Sequence, residues 1–205
     1  MEHWINKVVV IPNCENKVGI KIGEILVEAG MTVIGFCETN IMLEKLKISN
    51  AKYGKIFLYQ CDFSNIETMQ SAFDKALEIH GGVDVLINII NRENDCLVSN
   101  GDLKLIKRIT DENLTGTVAW IRLAVGSMLE RKSRGHIITI IEQEKPGELR
   151  SFVTSTNAAM ISVNEILRHE FRYLHANIKS TYIKYCAEDF SVADAKVECV
   201  AYMAT

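Results

Sequence analysis

A doubly wound α/β fold, a parallel sheet of about six strands with helices on both faces, is predicted by three observations. Short β-branched runs recur along the chain, helical stretches lie between them, and the two alternate from end to end. The runs are apolar on both faces, which is the pattern of strands buried within a parallel sheet. With 205 residues, 48% of them hydrophobic, the chain can bury a substantial core, and a single domain over residues 1–205 is expected.

The first run, Lys7 to Ile11, ends at Pro12, where a missing backbone N–H costs least. Lys17 to Ala29 follows as a helix, with Ile20, Gly23 and Val27 on one face. Met31 to Phe36 and Lys55 to Tyr59 read as the second and third strands. Ile66 to His80 is helical, with Phe73 and Leu77 at apolar positions, and His80 followed by Gly81-Gly82 ends it with a dipole contact and glycine termination. Val83 to Asn88 forms the fourth strand and Leu103 to Arg131 a long helix. His136 to Ile141 is the fifth strand, with Pro146 just beyond it. Phe152 to His175 is a second long helix, and Asn177 to Ile183 the sixth strand. Right-handed crossovers place any ligand at the carboxyl ends of the strands, near the first strand–helix turn.

Several function classes are disfavoured by composition. Net charge is -3, from 23 basic and 26 acidic residues scattered along the chain, so there is no footprint for nucleic acid or an anionic membrane. No stretch has the length of a membrane span or signal peptide, and a soluble cytoplasmic protein is expected. Cys14, Cys37, Cys61, Cys96, Cys186 and Cys199 lack the spacing of metal or redox motifs and read as reduced thiols. His169 and His175 lie on nearly opposite helix faces and form no metal pair. Glu142, Glu144 and Glu148, with Lys145 and Arg150, read as a solvated polar loop around Pro146-Gly147.

Five segments carry a resemblance. Val9-Val10-Ile11-Pro12-Asn13-Cys14-Glu15-Asn16-Lys17-Val18-Gly19 stands where a strand would lead into TGxxxGxG. Cys61-Asp62-Phe63-Ser64 is similar to CDxS, and Gly82-Val83-Asp84-Val85-Leu86-Ile87-Asn88 to GVDVLxNNAG. Gly135-His136-Ile137-Ile138 is similar to GHIIxIxS, and Asn113-Leu114-Thr115-Gly116-Thr117 to NxxGxF, with a later echo at Val192-Ala193-Asp194-Ala195. Together they resemble the short-chain dehydrogenase/reductase family, particularly its animal farnesol-dehydrogenase and 17-beta-hydroxysteroid-dehydrogenase-like branch. The resemblance implies a Rossmann-type sheet and a dinucleotide site.

Against that family the chain departs at its functional positions. Of the three glycine positions of the phosphate turn only Gly19 is kept; Asn13 can adopt a left-handed conformation, and Lys17 either attracts phosphate or marks a decayed site. Glu38 stands where relatives preferring the phosphorylated cofactor carry arginine, so NAD is favoured over NADP. Asp62 either accepts from the adenine amino group or caps the following helix. After Asn88, Ile89-Ile90-Asn91 replace smaller residues beside the nucleotide and are expected to intrude on its volume or repack as core.

The resemblance implies a tyrosine proton donor at Val153, its lysine at Asn157 and a serine at Glu142; of that tetrad only Asn113, the helix-bending member, is kept. Ser151, Phe152, Ser155 and Tyr182 lie near these segments without recreating the pair. Beyond the sixth strand, Lys184-Tyr185-Cys186 replace the family's proline-glycine turn. The expected function is therefore that of a pseudoenzyme, a binding or oligomerisation scaffold without a cofactor. Its dimer, with itself or an active relative, would form through helices 103–131 and 152–175, using Val118, Ile121, Val125, Met128, Met160, Val163 and Leu167. The alternative is a divergent NAD(P)-dependent oxidoreductase with a relocated proton donor, acting on an apolar alcohol or carbonyl such as farnesol or a steroid. A third reading places an apolar small molecule in the vacated crevice.

Overall fold

The computed structural model describes residues 5–38, 54–90, 96–142 and 151–185. Asn91, the loop carrying Glu144 to Arg150, Cys186, Cys199 and the Val192–Ala195 echo lie outside them.

Six parallel strands form one sheet: β1 (Val8–Ile11), β2 (Thr32–Cys37), β3 (Lys55–Gln60), β4 (Val85–Ile90), β5 (Gly135–Glu142) and β6 (Ile178–Tyr185). Their order is β3-β2-β1-β4-β5-β6, and all five pairings are parallel. The chain therefore travels outward on one side of β1, returns, and travels outward on the other. The helices are α1 (Lys17–Glu28), α2 (Ile66–His80), α3 (Leu103–Thr110), α4 (Thr117–Glu130) and α5 (Ser151–Tyr173).

Each face of the sheet has its own core. On one face Val18, Ile22, Leu26 and Val27 of α1, which packs against β2 and β3, belong to a core that continues through Val9, Ile11, Val33, Val85, Ile87, Ile138 and Ile140. On the other, Phe73 of α2, Trp120, Ala124 and Met128 of α4 and Met160, Leu167 and Phe171 of α5 cover Val10, Ile34, Phe36, Leu86, Ile137 and Ile141. Alternation along each strand sends successive residues to opposite cores, which is why the runs are apolar throughout. Trp120 stacks against Phe36 at 4.6 Å between ring centroids and meets Phe63 and Phe73 at 6.2 Å each, closing the core at the carboxyl end of β2.

One expectation is corrected here. The stretch Leu103 to Arg131 is not one α-helix, because Asp111–Gly116 forms a π-helical turn between α3 and α4. Of the apolar positions offered as a dimer surface, several pack within the chain. Ile121, Met128, Met160 and Leu167 are buried, and Val118 is the exposed member at 38%. The helices cover the sheet with more of their circumference than a single stripe, so their apolar surplus is largely internal.

The amino-terminal edge is tied by one carboxylate. Asp84, immediately before β4, accepts from the Val8 amide at 2.9 Å, Lys7 Nζ at 3.2 Å and Arg131 Nη2 at 3.3 Å. Arg131 Nη1 also donates to the Val83 carbonyl at 3.0 Å, so β1, β4 and the end of α4 share one junction. Nearby on β5, His136 is buried with Nε2 2.9 Å from Thr181 Oγ1. Burial, with the Lys179 ammonium adding to it, lowers its pKa to about 4.

Asp84→Ala is expected to destabilise the chain by about 2–4 kcal/mol, since it leaves a buried amide and a guanidinium without their acceptor; urea unfolding measures this. His136 favours the folded state while neutral. Its contribution is complete above the unfolded value of about 6.5 and is lost as pH falls from there towards 4, reaching about 2 kcal/mol at about pH 5. Comparing urea midpoints at about pH 7.5 and about pH 5, His136→Gln should show a smaller drop than the parent chain.

Candidate functional site

The crevice opens at the carboxyl ends of β1 and β4, where the strand order reverses. After Ile11, Pro12 leads into Asn13, whose φ of 53° lies in the left-handed region that a glycine would otherwise supply. Cys14 N then donates to the Phe36 carbonyl at 3.0 Å, pinning the turn to β2. Asn16 caps α1, its Oδ1 accepting from Gly19 N at 2.6 Å while its Nδ2 donates to the Asn13 carbonyl at 3.2 Å. Gly19 is required by space, because a Cβ there would meet Cys14 Cα at 3.0 Å. Lys17 is exposed in the first turn of α1. Asn13 and Gly19 thus keep glycine-like geometry at two of the three glycine positions, and at the third the Lys17 side chain is exposed. Asn16 was not anticipated, although a cap residue just before a predicted helix was a readable signal.

The turn also carries thiol and acid chemistry. A hydrogen bond to the Cys37 thiol, reinforced by burial, raises the Cys14 pKa above the ordinary thiol range, and the same contact lowers that of Cys37. Burial raises the Cys61 pKa to about 11, so it stays a protonated core thiol at neutral pH. Glu15 Oε1 accepts from the Glu38 amide at 3.2 Å, and Gln60 Nε2 donates to the Glu38 carbonyl at 3.2 Å. Two carboxylate side chains, Glu15 and Glu38, therefore belong to the end of β2.

Asp62 is exposed and accepts from Ser64 N at 2.9 Å and Ser64 Oγ at 2.7 Å, and these bonds lower its pKa. It does not cap α2. Asn65 does, accepting from Glu67 N and Thr68 N, because the turn inserts three residues between strand-end carboxylate and helix.

Between these elements lies a crevice of ≈ 30 Å³, lined by Pro12, Asn13, Phe63, Asn88, Ile89 and Ile90, with Asn113 and Trp120 on its far side. Ile89 and Ile90 are 5% and 3% exposed and belong to the two opposite cores, so both repack as core as well as narrowing the crevice. Asn88 is buried, and its Nδ2 has no hydrogen-bond partner. Asn113 sits in the π-helical turn and donates from Nδ2 to Thr156 Oγ1 of α5 at 3.3 Å. Thr156 in turn bonds the Phe152 and Val153 carbonyls at 2.9 Å each.

A second pocket, ≈ 330 Å³, lies between β5, β6 and α5, lined by Ile141, Glu142, Thr154, Asn157, Ala158, Ile161 and Lys184. Asn157 Nδ2 donates to the Glu142 carbonyl at 3.4 Å. Val153 is 2% exposed. The structure thus brings Glu142 and Asn157 together and places Asn113 one hydrogen bond from the same helix. Tyr182 is half-buried, with the Arg168 guanidinium 6.0 Å from its ring centroid. Lys184 was missed as a site residue because only the sheet register, Ile141 opposite Lys184, brings it to α5.

Among the described residues, no group of three or more His, Cys, Asp or Glu side chains is placed to hold a metal ion, and no helix is long and apolar enough to cross a membrane. A nucleotide fits what is present. The left-handed Asn13 and the orphaned donor of Asn88 line one crevice, and Gly19 packs closely on the same turn at Cys14, an arrangement that suits a phosphate and ribose.

Comparison with known proteins agrees. The short chain dehydrogenase family model matches residues 7–191. Dehydrogenase/reductase SDR family member 11 of Gallus gallus is 30% identical over 191 residues, covering 89% of this chain and 75% of that one. Farnesol dehydrogenase of Aedes aegypti is 30% identical over 192 residues, covering 89% and 78%. Among solved structures, a short chain dehydrogenase/reductase from Burkholderia phymatum in complex with NAD superposes with a TM-score of 0.80 at 20% identity, covering 91% of this chain and 66% of that one. The expectation of a chain without a cofactor is corrected by these findings: a dehydrogenase family, a fold neighbour holding NAD and a preserved turn point to a nucleotide cofactor rather than none. With its six-stranded parallel sheet and this match across most of its length, the chain belongs to the short chain dehydrogenase family.

Proposed function

We propose that this chain binds a nicotinamide dinucleotide across the carboxyl ends of β1 and β4 and is a divergent oxidoreductase acting on an apolar alcohol or carbonyl, such as farnesol or a steroid. The observation that carries the reading is the phosphate turn, where Asn13 takes a glycine's conformation and a Cβ at Gly19 would crowd the Cys14 backbone. When bound, such a cofactor supplies hydride exchange. The chain's own residues bind and orient it. The first-turn amides of α1 and the Lys17 ammonium would hold the phosphates, and Asn88 Nδ2 would offer a donor to the nucleotide. Glu15 and Glu38, at the end of β2, disfavour a 2′-phosphate by like charge. Proton delivery is the step in which this chain departs from its family, because Val153 has no proton to donate and Asn157 no positive charge.

That departure favours a second reading, a family member that binds nucleotide without turnover and serves as an assembly scaffold. Its supporting observation is Asn157, whose amide is committed to the Glu142 carbonyl where the resemblance implies a lysine.

Titration calorimetry tests the binding. NADH should bind with a Kd on the order of micromolar and NADPH at least about tenfold more weakly, with Glu38→Arg narrowing that difference; no heat from either nucleotide would overturn the proposal. Turnover separates the two readings. NAD-dependent farnesol oxidation by the unmodified chain, changed in its pH profile by Val153→Tyr with Asn157→Lys, is expected of an oxidoreductase. Activity seen only in the double variant would leave the scaffold.

A further inference from the structure

Beneath the phosphate turn lie two thiols that the nucleotide reading does not use. Cys14 and Cys37 are both buried, belong to the same core and touch through a hydrogen bond between their side chains. Gly35 makes that contact possible. Cys14 Sγ lies 2.6 Å from the place where a Cβ of Gly35 would stand, so the thiol fills a slot on β2 that any side chain would close. The strand's period of two puts Cys37 on the same face as Gly35, which is the face Cys14 covers. On the backbone, Cys14 N donates to the carbonyl of Phe36, the residue before Cys37, at 3.0 Å. Side chains and main chain therefore hold the two cysteines together.

The pair is chemically uneven. Its shared contact favours charge on Cys37 and disfavours it on Cys14, so Cys37 is the better nucleophile and Cys14 the partner that keeps its proton. The surrounding turn is thin: Asn13, Glu15 and Asn16 are half-buried and Lys17 is exposed, so a small oxidant has a short way in. A disulfide needs its sulfurs about 2 Å apart, closer than two thiols in contact. Cys37 is fixed opposite Gln60 in the β2–β3 ladder, so that approach falls on Cys14 and the turn that carries it.

We propose that Cys14 and Cys37 are a reversible redox pair, oxidised by a hydroperoxide to a disulfide that draws the phosphate turn towards β2 and closes it to nucleotide. With hydrogen peroxide, the Cys37 sulfur attacks one oxygen, the O–O bond breaks, and the other oxygen leaves as water with the thiol proton. The Cys14 sulfur then attacks the resulting sulfenic acid, the S–O bond breaks, and the hydroxyl leaves as a second water with the Cys14 proton. The two thiols are oxidised and the peroxide is reduced to two waters. The turn must follow the sulfur. Cys14 Cα already lies 3.0 Å from the Cβ position of Gly19, and the Asn13 carbonyl accepts from the Asn16 cap, so moving Cys14 disturbs both ends of the cradle. The effect on nucleotide rests on the function proposed above; the disulfide itself does not.

Peroxide treatment of the full chain, then alkylation and peptide mass spectrometry, tests the bond, and calorimetry with NADH before and after treatment tests its effect. A peptide linking Cys14 to Cys37 is expected, and dithiothreitol should release it. The oxidised chain should bind NADH at least about tenfold more weakly and recover with dithiothreitol. Cys37→Ala should bind NADH equally with and without peroxide, while Cys96→Ser, at a partly exposed thiol outside this core, should respond as the parent does. Circular dichroism checks that both variants fold, and the linked peptide in the parent decides the bond without them. The proposal is overturned if both thiols stay open to alkylation, if either reaches sulfinic acid without a link, or if the link forms and NADH binding is unchanged. Should the reduced parent bind no NADH, the proposed function falls, and the linked peptide alone decides the redox pair.

Discussion

Because every described strand is parallel and β1 sits between β2 and β4, the chain must leave β1 on one side and later leave β4 on the other. No connection can cover the gap between those two departures. The crevice is thus a consequence of topology before any side chain is chosen, and the residues at 12–19, 88–90 and 113 matter because the gap is there. The tight helix-to-turn contact at Gly19 and the left-handed Asn13 only shape an opening that the strand order already dictates.

Most of this fold is legible in the sequence because a parallel sheet covered on both faces demands uniformly apolar strands, and runs such as Val8–Ile11 and Gly135–Glu142 obey that demand. The boundaries at β4 were less legible. Val83 and Asp84 read as strand but serve the junction beneath it, while Ile89 and Ile90 carry the strand further than Asn88. The π-helical turn was hidden because one added residue barely disturbs a hydrophobic period, and Asn113 marked its place only through resemblance. Sequence periodicity counts apolar residues on a helix but cannot count how many neighbours enclose it, as buried Ile121 and Met128 show.

The candidate site was readable as a set of positions and not as an arrangement. Lys17 reads equally as a phosphate attractor or a decayed position, and only the structure shows its side chain exposed at the start of α1. Lys184 looked like part of a missing turn, yet register carries it to Asn157. Among the described residues the buried side-chain polar atoms without a partner are Asn88 Nδ2 and Asn157 Oδ1, and both lie at the carboxyl edge of the sheet. Interiors rarely tolerate such atoms, and sites that break the rule are where local stability is exchanged for recognition.

The π-helical turn at Asp111–Gly116 also sets how this chain tolerates length changes. An α-helix turns by about 100° per residue, so the extra residue held in that turn fixes the rotational phase of everything after it. Removing one residue there would restore ordinary helical geometry locally. Removing one residue from the regular first turn of α4 would instead swing Trp120, Ala124 and Met128 about a quarter of a circle away from the sheet they cover. The π turn therefore absorbs a length change between two halves of one long helix, whereas indels in the regular α-helix beside it would be transmitted to the core.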